Sequence, residues 1–109
     1  MLQVIMDIPP IHMAAKKGHT EVVKILVPLT ENPNAPDNVG NTPIHEAAKN
    51  GHTEIVKILA PLTDNPNAPN IFRDTPISVA ALRGHTEIVK ILTSLTETQK
   101  YFINSLTFK

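Results

Sequence analysis

Between residues 53 and 62 the apolar side chains Ile55, Ile58, Leu59 and Leu62 recur at separations of three and four, among the polar Thr53, Glu54 and Lys57. That spacing lines one face of a helix with apolar groups. The segment GHTEIVKIL starting at Gly51 is preceded by GHTEVVKIL at Gly18 and followed by a second GHTEIVKIL at Gly84, each displaced by 33 residues. A second pattern keeps the same period: PPIHMAA from Pro9, TPIHEAA from Thr42 and TPISVAA from Thr75. The chain therefore carries three copies of one unit, and a period of this length marks a stacked repeat.

Within the middle copy, Thr42 is placed to cap a first helix and Pro43 to occupy its first turn, where no amide hydrogen is needed. Ala47 and Ala48 keep that helix slim enough for close packing, and Gly51 fits a left-handed stop. Thr53 is expected to cap the second helix, with Glu54 in its positive first turn. Neither helix could bury its apolar face alone, so neighbouring copies must stack. Pro28 and Pro61 predict a kink or an early end of the second helix, because a continuing helix would clash with the ring. The stretches TENPNAPDNVG and TDNPNAPNIFR that follow are connectors in extended or turn backbone.

The run TPIHEAAKNGHTEIVKIL resembles the signature of the ankyrin-repeat family, and the resemblance covers roughly residues 4 to 100. It implies an all-α, ankyrin-type helical repeat solenoid with projecting turns, two helices per repeat and a role in protein recognition. On that basis residues 1–109 form a single domain, with repeats at approximately 4–36, 37–69 and 70–100 and an irregular tail at 101–109. The chain departs from the family pattern in several places. At the tip of the projecting turn the middle copy has Gly40 but the third has Arg73, which sets the ideal geometry of that turn in question. Thr30 and Thr63 stand where the family places a glycine after the second helix, so those helix ends should be distinctive.

Composition narrows the function. Ten basic and ten acidic residues give no net charge and no long run of either sign, so no specific nucleic-acid or membrane signal exists. Cysteine is absent and there is no Asn-x-Ser/Thr acceptor, which leans toward an intracellular, cytoplasmic setting with the nucleus left open. His12, His19, His45, His52 and His85 invite a metal reading, but repetition explains them better. Zinc needs about four convergent ligands, whereas copies displaced by a whole repeat sit a stacking distance apart. Glu21, Glu54 and Glu87 each precede a lysine by three residues, Lys24, Lys57 and Lys90, as a surface helix pair does. No activated nucleophile and no glycine-rich phosphate loop is evident, so neither catalysis nor a cofactor is expected.

The expected function is a non-enzymatic protein-binding module or small adaptor whose protein partner the sequence does not identify. The resemblance maps recognition onto the projecting turns and the exposed side of the first helices. These are Asn38, Val39, Asn41, Glu46, Lys49 and Asn50, then Ile71, Phe72, Asp74, Val79, Leu82 and Arg83. Val79 is equally suited to partial burial between helices. Phe72, supported by Ile71 and Leu82, is the candidate anchor, with packing against its own stack as the competing assignment. The alternative function is a structural segment, or a truncated portion, of a longer repeat array. Weak self-association is expected through the apolar terminal segments, Leu2, Val4, Ile5, Met6 and Ile8 at one end and Tyr101, Phe102, Ile103, Leu106 and Phe108 at the other.

Overall fold

The computed structural model describes residues 10–107, with side chains as far as Thr96. It contains six α-helices: α1 (Pro10–Lys17), α2 (Thr20–Leu26), α3 (Pro43–Lys49), α4 (Thr53–Leu59), α5 (Pro76–Leu82) and α6 (Thr86–Thr107). Each helix pairs with its chain neighbour across a glycine turn, and the pairs stack, α1 on α3 on α5 and α2 on α4 on α6. No strand occurs among the described residues. The fold is an all-α solenoid, as the period implies.

Helices of seven or eight residues are too short to persist alone in water, so the stack supplies their stability. The first helices bury Ile11, Ala14, Ala15, Ile44, Ala47, Ala48 and Ala80, and the second helices bury Val23, Ile55, Val56, Leu59, Ile88 and Leu92. Each fully buried branched side chain contributes about 1.5–3 kcal/mol, and the alanines let the first helices approach closely. Val56 takes a core place that the helical spacing had assigned to Leu62, which is exposed. The cause is the early helix end: α4 stops at Leu59, and Ala60–Leu62 forms a single tighter turn carrying Pro61. The first repeat does the same at Val27–Leu29 around Pro28. At the third repeat Ser94 stands in place of proline, and no Pro or Gly follows. Hence α6 continues to Thr107, and residues 101–107, expected as an irregular tail, are helical in backbone. The apolar residues of both terminal segments lie outside the described side chains.

Thr42 caps α3 as anticipated, accepting from the His45 amide at 3.2 Å, and Thr75 caps α5 by accepting from the Ser78 amide at 3.0 Å. The second helices differ. Thr53 is already helical, and His52 holds the capping position without a side-chain cap bond, as His19 does at α2, while its ring bonds the preceding repeat. The connector is likewise anchored by a side chain: buried Asn34 donates to the Leu59 carbonyl at 3.1 Å, at the end of α4. The surface pairs Glu21–Lys24 and Glu54–Lys57 form at 3.3 and 3.5 Å, where exposed ion pairs add little.

Arg73 does not distort its turn. It adopts φ +69°, beside +86° at Gly40, and its amide bonds the Asn70 carbonyl at 3.0 Å just as Gly40 bonds Asp37 at 3.0 Å. The hydrogen bonds of the turn therefore hold a side chain in the left-handed region at a cost of roughly 1–2 kcal/mol. Arg73→Gly should relieve most of that strain and raise the thermal midpoint by about 4–8 °C per kcal/mol recovered. Thermal unfolding followed by circular dichroism would test this, and an unchanged or lowered midpoint would contradict it.

His45 offers a second test. Its Nδ1 accepts from the Thr42 amide at 3.1 Å while Nε2 donates to the Asp74 carbonyl at 2.9 Å, an arrangement that only the neutral ring satisfies. Burial pushes its pKa below 6.5, against the opposing pull of the Asp74 carbonyl and the carboxylates of Glu46, Asp37 and Asp74. Because the unfolded chain takes up this proton more readily, the ring's contribution to stability is fully present above pH 6.5. It is lost as pH falls below 6.5 and through the lowered folded value. Melting midpoints should therefore drop on acidification below about pH 6.5, and His45→Gln should start lower yet lose less across that window.

Candidate functional site

The projecting turns are organised by one side chain each. Asp37 Oδ1 accepts from the amides of Val39 and Asn41 at 3.0 and 2.9 Å, and Asn70 Oδ1 accepts from Phe72 and Asp74 at 2.8 and 3.0 Å. The two turns are then joined: the Ile71 amide donates to the Val39 carbonyl at 2.9 Å, and Asn70 Nδ2 donates to Asn41 Oδ1 at 2.8 Å. His45 closes the joint from the helix side through the Asp74 carbonyl. These bonds fix the turns relative to α3 and α5, so the surface between them is preformed.

That surface is a groove of about 310 Å³ running between the second and third repeats. Of the residues expected in recognition, Asn41, Glu46, Lys49, Phe72, Asp74, Val79, Leu82 and Arg83 line it together. Asn38, Val39, Asn50 and Ile71 do not line it; Ile71 and Asn38 lie exposed on their turns, and Val39 is half-buried. His45 and Asn70 line it as well, and sequence reasoning had assigned neither to the site. Asn70 could have been found by its register, since it stands 33 residues after Asp37.

Phe72 is 66% exposed and Leu82 is 85% exposed, so neither is consumed by packing within the stack. Val79 is half-buried and also packs against the core, which gives it both of the roles weighed for it. Comparison by register shows how the third repeat differs from the second: Ile71 replaces Asn38, Val79 replaces Glu46 and Leu82 replaces Lys49. Three polar positions of the second repeat thus become apolar in the third, and two of them, Val79 and Leu82, line the groove. Around this apolar area Lys49 and Arg83 supply positive charge and Glu46 and Asp74 negative charge. None of the four makes an ion pair within 4.0 Å among the described residues.

Four of the five histidines serve the stack. Nε2 of His12 reaches the Asn41 carbonyl at 3.0 Å, and His52 and His85 reach the carbonyls of Lys16 and Lys49 at 3.0 and 3.2 Å. Nδ1 of buried His12 has no partner, and the residue matching Thr42 in that repeat is Pro9, which has neither an amide hydrogen nor a hydroxyl. No group of three or more His, Cys, Asp or Glu residues that could hold a metal ion occurs among the described residues. No helix among them is long and apolar enough to cross a membrane.

Residues 5–70, more than half of the chain, match the family model described as ankyrin repeats (3 copies). A comparison with curated proteins finds no match. The ankyrin-repeat fold is a non-catalytic scaffold that generally serves protein interaction. With the 33-residue period, the paired helices and the projecting turns in place, the family match is the conclusion these features share: the chain belongs to the ankyrin-repeat family.

Proposed function

We propose that the chain is a protein-binding module or small adaptor of the cell interior, which takes a partner in the groove between its second and third repeats. What supports this is the polar-to-apolar exchange across that groove. Leu82 sits where the second repeat has lysine, in a position exposed in both, so its apolar character contributes nothing to the stack. An exposed aromatic such as Phe72 can bury its ring in a partner and carry much of the binding energy. Lys49, Arg83, Glu46 and Asp74 form a charged rim of both signs, suited to selecting a partner's orientation more than to adding affinity.

Two substitutions test the groove without disturbing the fold. Once a partner has been captured from cell extract and identified, Phe72→Ala should weaken its binding at least tenfold, about 1.4 kcal/mol. Leu82→Lys, which restores the residue of the second repeat, should weaken it in the same direction. Both variants should keep the helical content and unfolding midpoint of the parent. Unchanged affinity in both, measured by calorimetry on folded protein, would remove the groove as the binding site.

A further inference from the structure

The two ends of the stack are complementary, and the interior joints show how they fit. Position by position, burial reveals which side of each repeat needs a neighbour. Val22 is 43% exposed, whereas Ile55 and Ile88, its equivalents in the second and third repeats, are 0% exposed. That position is therefore covered by a preceding repeat. Ala81 shows the converse, being exposed where Ala15 and Ala48 are fully buried, so its position is covered by a following repeat. Val89 and Ile77 are likewise more open than Val23 and Val56, or Ile11 and Ile44, in the same register.

A specific polar contact accompanies this burial. At both interior joints a histidine lies over the helix-stop glycine of the preceding repeat and bonds a carbonyl of its first helix. A Cβ placed on Gly18 would come within 2.6 Å of the His52 ring, and one on Gly51 within 2.8 Å of the His85 ring. The bonded carbonyls are those of Lys16 and Lys49. The third repeat carries the same cradle unfilled. Gly84 has φ +79° with nothing within 4 Å of its Cβ position, and the matching carbonyl, that of Leu82, accepts no hydrogen bond among the described residues. The first repeat carries the matching plug: His19 is exposed, and its ring has no partner among the described residues.

We propose that the chain associates head to tail with further copies of itself, continuing its own repeat joint from one copy to the next. His19 of one copy seats over Gly84 of the next and donates from Nε2 to the Leu82 carbonyl. Following the interior pairing, α1 covers α5 at Ala81 and α2 packs on α6 at Val22. The joint is weaker than those within the chain, because Ser78 stands where His12 and His45 make their own cross-repeat bond. Since the two surfaces differ, one contact leaves both outer ends free, and assembly continues as an open array rather than closing at a dimer.

Reciprocal blocking separates this from other modes of association. Sedimentation of the full chain across roughly 10 to 500 micromolar should show an average mass that rises steadily past the dimer. Val22→Glu and Ala81→Glu alter positions that are open in the single chain, and each alone should be monomeric with parental helical content. Mixed in equal amounts, they should yield a complex of two chains and nothing larger, because each supplies the end the other lacks. His19→Ala, which leaves the helices untouched, should weaken the assembly of the parent chain at least threefold and serves if either glutamate variant fails to fold. Phe72→Ala should leave assembly unchanged, which keeps this test apart from that of the groove. A parent chain that stays monomeric throughout overturns the proposal, as does a folded mixture that remains monomeric or blocked variants that still associate.

Discussion

The stack depends on histidine side chains that leave their own repeat to satisfy a backbone carbonyl of its neighbour. His12 and His45 reach forward to Asn41 and Asp74, at the base of the next projecting turn, and His52 and His85 reach back to Lys16 and Lys49, at the end of the preceding first helix. A carbonyl at a helix end has no partner within the helix. Meeting it from the adjacent repeat stabilises the helix end and sets the spacing and register of the stack together. Apolar packing alone is less particular, since alanine and isoleucine faces tolerate small slides that a 3 Å hydrogen bond does not. The helix-stop glycines belong to the same device, because the rings of His52 and His85 lie where a side chain on Gly18 or Gly51 would be.

This constraint divides the surface of the molecule. Positions committed to the joints repeat almost unchanged, as GHTE does in all three copies, while positions that face away from them are free to vary. The groove between the second and third repeats sets Phe72, Leu82 and the charged rim, which are of the second kind, beside His45, Asn41 and Asn70, which are of the first. Its apolar residues therefore impose no cost on the stack. The third repeat is where the pattern loosens: Arg73 accepts strain in its turn, Ser78 drops a cross-repeat bond, and Ser94 releases α6 from the stop that proline imposes on α2 and α4. The same repeat thus presents an unfilled cradle at Gly84 and the most apolar part of the groove.

Much of this was legible in the sequence. The 33-residue period, the Thr-Pro starts of the second and third copies and the glycine stops of all three determined the number of repeats and the helix pairs, because each is a recurring local requirement of backbone geometry. The candidate recognition residues followed from register once the family resemblance was drawn, and most of them do line one groove. Tertiary structure decided what local rules could not. It buried Val56 in the core of the stack, and it carried the His52 ring to the Lys16 carbonyl of the preceding repeat. Arg73 keeps a glycine conformation for a local reason, because the four hydrogen bonds that Asn70 makes within its own turn outweigh the strain of one residue. Where a side chain's partner lies within its own helix or turn, the sequence determined the outcome. Where the partner lies in the next repeat, only the assembled stack did, since a contact spanning 29 or 36 residues depends on the spacing of two separately folded units.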